Sequence, residues 1–314
     1  MGIGLFFYVK GGNFMKKLVS ILLSAALLLC VLAGCSSAGQ TSSTTAAETT
    51  AAAGTTAAET TSASSATANK DYDGTVYKIA CDAAYPPFSI KLEDGTSAPG
   101  TVVTSSNGMG DYYGIDVEIL NAVAKYEGFQ YDLTPMDFSG IIPALVSGTI
   151  DGSIAGMNIT EERKDSVDFS DGYYECPSAL VVNRDDDSIT SFEDLSGKVA
   201  ACKEATTGME WCQDNADKYG FTVSVFPDSA SMMMAVANKQ ADFLIEDYPV
   251  INYQISIGEQ ASLKVAIQQI SDAPQDGFAV CKGQNATLLA MFNEGLAAIR
   301  ANGTYDKIIA EYIK

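Results

Sequence analysis

The stretch "AGMNITEERKDSVDFSDGYYE", residues 155–175, decides how this 314-residue chain is read. Ahead of it "IDGSIAGM" is a short strand-like run broken by Gly152 and Gly156. Within it Thr160 stands three residues before Arg163, the lone local arginine, where a short helix begins. Taken alone, Thr-x-x-Arg is an ordinary solvated helix start. The segments on either side point elsewhere.

Upstream, "VYKIACD" reads as a strand ending at Asp82, and the two prolines of "AAYPPF" forbid its continuation as a central strand. Residues 91–113 are rich in Gly, Ser, Asp and Thr and read as a surface loop or hairpin. "GIDVEILNAVAKYEGF" places Val117, Leu120, Val123 and Ala124 at helical spacing and ends at Gly128 as a C-cap. "QYDLTPM" follows as a strand, and "DFSGIIPALVSGT" as a helix with Ile141, Ile142, Leu145 and Val146 to one side. The β-α-β-α-β order predicts a mostly parallel sheet covered by helices.

Downstream the pattern repeats. "SFEDLSG" is a short helix with Ser191 and Asp194 at capping-box spacing, and "KVAACK" is a strand. "TTGMEWCQDNADKYG" is a helix opening at Thr206 and Thr207, and "TVSVFP" another strand. "SASMMMAVANKQ" is a helix whose methionines read as packing, and "ADFLIED" is a strand ending in Glu246 and Asp247. "DGFAVCK" returns as a strand before the C-terminal helices. Two α/β lobes result, with the chain crossing between them more than once.

The N-terminus reads as a targeting device. Lys16 and Lys17 precede an apolar run that is too short for a comfortable membrane span and suits a signal peptide. The run closes on "LAGC", which resembles a lipobox, so Cys35 is expected to carry the acyl anchor. Residues 1–34 would be the lipoprotein signal, with Met15 the expected start. Residues 35–71 then hold the lipidated cysteine and a Ser/Thr/Ala tether, containing "TTAAETT" twice, with a reach of roughly 30 Å. A net charge of −20 argues against nucleic acid and anionic membrane surfaces as partners. The chain has no histidine, which removes Ser-His-Asp and Cys-His catalysis and histidine-ligated metals. Cys81 and Cys281 read as small buried apolar residues, while Cys202 and Cys212 are a candidate disulfide that the sequence leaves open.

The opening stretch, together with "PMDFSGIIPAL", "GIDVEIL", "DLSGKVA", "ADFLIEDYP" and "ANGTYDKI" in this order, resembles the polar amino-acid solute-binding proteins of ABC importers. Glutamine-binding proteins are the nearest likeness, over about residues 76–314. The resemblance implies an α/β, two-lobed, type II periplasmic-binding-protein-like fold, with two mixed, mostly parallel sheets joined by a two-segment hinge. Lobe 1 would comprise residues 72–172 and 277–314, lobe 2 residues 178–271, and the hinge residues 173–177 and 272–276. A free amino acid, an ABC permease and, through the anchor, the membrane are the implied partners of a monomer without cofactor, metal or catalytic residue.

The chemistry of an α-amino acid gives the implied site its logic. Its carboxylate would meet Arg163, the residue at the family's arginine position, with Thr160 beside it. Thr206 and Thr207 would add donors from a helix N-terminus in the other lobe. The ammonium would meet Asp247, the Gly156 carbonyl and Asn158. Tyr85 and Phe138 match an aromatic pair around the ligand's aliphatic part, and Asp82 and Lys203 match the partners of a distal amide. Asn158 stands where Thr or Ser is usual, and Glu246 where glutamine binders carry histidine. The site charge of −1 leans toward an amide or a cationic side chain. Two competing readings remain: an enzyme on the same scaffold, such as a cyclohexadienyl or arogenate dehydratase using Glu246, and a sensing or adhesive surface lipoprotein.

Overall fold

The computed structural model describes residues 73–270 and 272–313. The signal segment, Cys35 and the tether lie outside the described residues. The strands are β1 Val76–Asp82, β2 Ile90–Lys91, β3 Val103–Thr104, β4 Asp111–Tyr113, β5 Gln130–Met136, β6 Gly152–Ser153, β7 Val167–Phe169 and β8 Tyr174–Glu175. They continue with β9 Ser178–Asn183, β10 Val199–Lys203, β11 Thr222–Phe226, β12 Phe243–Asp247, β13 Leu263–Ile267, β14 Gln275–Asp276 and β15 Ala279–Cys281. The helices are α1 Ile115–Glu127, α2 Phe138–Val146, α3 Thr207–Tyr219, α4 Ser229–Ala237, α5 Tyr248–Ser256, α6 Ala286–Ala301 and α7 Thr304–Tyr312.

Two five-stranded sheets organise the chain, in the orders β5-β1-β6-β15-β7 and β11-β10-β12-β9-β13. Each is mixed. β1 pairs parallel with β5 and β6, and β10 pairs parallel with β11 and β12. The remaining pairings, through β15 in the first sheet and β9 in the second, are antiparallel. The β-α-β pattern accounts for the parallel half. The antiparallel half arises because one strand in each sheet runs against the rest: β15, the expected strand "DGFAVCK", in the first, and β9, which the periodicity did not single out, in the second. The chain crosses between the sheets along β8 and β14, which pair antiparallel to each other.

The expected caps form: Gly128 adopts φ 80° at the end of α1, and Ser191 and Asp194 make a reciprocal capping box. In α2, Ile141 and Leu145 are buried but Val146 is 54% exposed. At 100° per residue, Val146 lies well around the helix from Ile141 and cannot share its face. Residues 91–113 form the small sheet β2-β4-β3. Its Ser106 N–H donates to the Leu133 carbonyl, and Asn107 Nδ2 to the Pro135 carbonyl, covering the open edge of β5. Cys202 and Cys212 are free and buried, as are Cys81, Cys176 and Cys281, so the candidate disulfide is absent. Both line the core beneath α3 with Leu180, Phe221 and Phe243.

Candidate functional site

A cleft lies where the strand ends of the two sheets face each other. Arg163 enters it from a single 3-10 turn whose first N–H, its own, is capped by Thr160 Oγ1 at 3.2 Å. The guanidinium is buried. It donates from Nη1 to the Asn158 carbonyl (2.8 Å) and from Nη2 across the cleft to the Ala205 carbonyl (3.0 Å). Ala205 holds a left-handed φ of 61° just before α3, a conformation that costs a non-glycine residue and is retained where the carbonyl meets Arg163. The Phe138 ring lies 5.5 Å from the guanidinium carbon. Among the described residues no carboxylate forms an ion pair with Arg163, and further N–H groups remain free to donate. Burial pulls its pKa down, opposed by the more distant charges of Glu210 and Asp247.

On the facing wall β12 ends in Glu246 and Asp247, both buried. The Tyr85 hydroxyl lies 2.5 Å from Asp247 Oδ2 and 3.2 Å from Glu246 Oε1, and the Asp247 N–H donates to Glu246 Oε1. Glu246 Oε2 has no hydrogen-bond partner of good geometry, although the Ser229 hydroxyl lies close. Burial, reinforced by the charge of Asp247 and opposed by Lys203, pushes the Glu246 carboxyl up to about 7. Burial also raises Asp247, while hydrogen bonds from Tyr85 and Cys176 restrain the rise.

Lys203, at the end of β10, reaches across to Asp82 at the end of β1 with an Nζ–Oδ2 distance of 2.6 Å. Its ammonium sits 4.6 Å from the Tyr85 ring centre and 5.2 Å from that of Phe138, so the pair is walled by both aromatics. Thr206 is the N-cap of α3, accepting from the Met209 N–H and donating to the Lys203 carbonyl. The Thr207 hydroxyl donates to Asn158 Oδ1. Gly156 has φ 53°, and a Cβ there would lie 2.7 Å from the Tyr85 ring, so only glycine fits. Its N–H donates to Asp116 Oδ2 and to the Tyr173 hydroxyl oxygen.

Ten of the twelve residues expected at the ligand line the cleft: Tyr85, Phe138, Gly156, Asn158, Arg163, Lys203, Thr206, Thr207, Glu246 and Asp247. Asp82 and Thr160 stand behind it, holding Lys203 and the Arg163 turn. The Asn158 amide, expected at the ammonium, is turned to Thr207 and Asp276. Ser178, Gly208, Met232 and Ile245 also line the cleft and escaped the sequence reading. Met232 belongs to the methionine run, whose neighbour Met233 is core and whose Met234 is 60% exposed.

The raised acids set a stability slope. Glu246 and the wholly buried Asp116 are both lifted to about 7 from ordinary values of 4.5 and 3.8. Between those limits the native state holds more protons than the unfolded one, so stability falls as pH rises and levels off above about 7. Glu246→Gln is expected to flatten that fall by roughly 1–3 kcal/mol in urea titrations at successive pH values.

Two lobes facing across a buried cleft, with a guanidinium on one wall and acids on the other, define a two-lobed solute-binding protein. The chain belongs to the bacterial extracellular solute-binding proteins, family 3, which match it over residues 77–314. It is 30% identical over 242 residues to an L-arginine-binding protein of Pseudomonas aeruginosa, covering 75% of this chain and 86% of the relative. It is 32% identical over 212 residues to the ABC transporter glutamine-binding protein GlnH of Bacillus subtilis, covering 65% of this chain and 74% of the relative. Among solved structures, an ancestral arginine-binding protein bound to arginine aligns with a TM-score of 0.67 at 34% identity, over 76% of this chain and 98% of its own. Among the described residues no helix is long and apolar enough to cross a membrane.

Proposed function

We propose that the chain captures a free polar L-amino acid between its lobes and hands it to an ABC importer. One observation carries this reading: a buried Arg163 without an acidic partner faces Asp247 across the same cleft. A buried guanidinium left unpaired is costly unless an anion arrives, and the α-carboxylate supplies one. Asp247 and the Gly156 carbonyl take the ammonium, and Thr160, Thr206 and Thr207 support the carboxylate end through the Arg163 turn and the α3 N-terminus. The arginine and glutamine binders among the relatives support an amino-acid ligand.

A glutamine-like side chain fits best. Lys203 offers a donor to an amide oxygen between Tyr85 and Phe138, Asp82 holds Lys203 in place, and Glu246 Oε2 is the spare polar atom for the amide. With Glu246 protonated, Arg163 and Lys203 balance Asp82 and Asp247, and a neutral side chain leaves the site neutral. A cationic side chain is the second reading, favoured by that same unpartnered oxygen when Glu246 is ionised. A clamp for both ends of the zwitterion favours binding over turnover. Residues 173–177 and 272–276 serve as hinge between lobe 1 (72–172 and 277–314) and lobe 2 (178–271), and "LAGC" supports an anchor at Cys35.

Calorimetric titration against the standard amino acids tests the reading. Glutamine is expected to bind in the micromolar range, about −8 kcal/mol, ahead of arginine near neutral pH. Affinities no better than millimolar for every amino acid would overturn it.

A further inference from the structure

Asn158 sits where three parts of the molecule meet, and its side chain is 4% exposed. Nδ2 donates to Asp276 Oδ1 at 2.7 Å, and Oδ1 accepts from the Thr207 hydroxyl at 2.7 Å. Asp276 Oδ1 accepts from Nδ2, which leaves the amide oxygen for Thr207. The backbone ties Asn158 to the same crossing strand. Asn158 and Asp276 form a β-bridge, the Ile159 N–H donates to the Gln275 carbonyl, and the Gly277 N–H donates to the Met157 carbonyl. The Asn158 carbonyl holds Arg163 Nη1. Thr207 alone belongs to the opposite lobe, as the first residue of α3.

We propose that Asn158 is a closure latch, a positioning residue whose amide, aimed by the hinge residue Asp276, bonds Thr207 only when the lobes meet. The bonds to Asp276 and the crossing strand lie on one side of the cleft and survive opening. The bond to Thr207 spans it and is made on closing. The latch lies beside Arg163, at the end of the cleft common to all amino acids, so it lengthens the life of every closed complex and does not select between side chains. A threonine or serine at this position is too short to reach both partners. The inference rests on the amino-acid reading of the cleft.

Stopped-flow and calorimetric measurements on the full chain test it. Asn158→Ala and Thr207→Val are each expected to raise the dissociation rate about five- to ten-fold, the loss of one good hydrogen bond, for glutamine and arginine alike. The double variant is expected to match the single ones, because both remove the same bond. Asp276→Asn keeps an acceptor for Asn158 Nδ2 but adds a donor that can face its oxygen, and is expected to raise the rate less than Asp276→Ala, which is expected to behave like Asn158→Ala. Independent, multiplying effects of Asn158→Ala and Thr207→Val would overturn the latch, as would rates unchanged in Asn158→Ala. If the wild type binds no amino acid, the cleft reading falls by itself. The latch is then read from spin-label distances between the ligand-free lobes, where a wider distribution in Asn158→Ala supports it and an identical one overturns it.

Discussion

Arg163→Ala is expected to lose amino-acid binding almost completely, by roughly 10²- to 10⁴-fold, because a desolvated carboxylate is left without its charged partner. The same substitution is expected to leave the ligand-free protein about as stable as before, within about 1 kcal/mol. The guanidinium is buried without an acid to offset its desolvation, and its removal relieves that cost while breaking its bonds to the Asn158 and Ala205 carbonyls. A loss of affinity with an unchanged melting temperature is therefore the signature of a group held ready for an anion. Arg163→Lys keeps the charge but not the planar fork, and is expected to recover only part of the affinity, remaining about ten-fold or more weaker than the wild type. Calorimetry paired with thermal unfolding checks all three statements. Unchanged affinity in Arg163→Ala would remove the carboxylate assignment.

Much of this architecture is legible in the chain because its signals are local. Gly128 and the Ser191–Asp194 box mark helix ends, and the apolar spacing of α1 marks its buried face. Lys203, Glu246 and Asp247 sit at strand ends, and Phe138, Thr206 and Thr207 at helix starts. What stayed hidden is non-local. β9 pairs with β12 and β13 across long stretches of chain, and that pairing is not readable locally even though Pro177 and Asn183 bracket β9. Met232 and Met233 are both buried in the core, Met232 also lining the cleft, while Met234 is 60% exposed, since a helix turns 100° per residue. Asp116 and Asp276 look like surface acids in sequence and are wholly buried in the fold. The direction of the Asn158 amide is likewise set by Asp276, more than a hundred residues away.

Asp247→Asn is expected to weaken binding about 100-fold, since the shape of the wall is kept while the charge opposite the ammonium is lost. The Tyr85 hydroxyl can still donate to the amide oxygen, so Tyr85 keeps its place and the aromatic wall is preserved. The effect should therefore track the ammonium alone. A ligand identical except for a hydrogen in place of the α-ammonium is expected to bind wild type and variant equally, and weakly. The neighbouring acid supplies an independent readout. The charge of Asp247 helps hold the Glu246 carboxyl up near 7, so its removal is expected to lower the Glu246 pKa and move the pH dependence of binding toward acid. Glu246 is then ionised over more of the neutral range, and a cationic side chain gains on an amide. Titrations of glutamine and arginine between pH 5 and 8 on wild type and Asp247→Asn separate the two effects. Equal losses for ligands with and without the ammonium would place Asp247 in the scaffold of the cleft and take it out of the clamp.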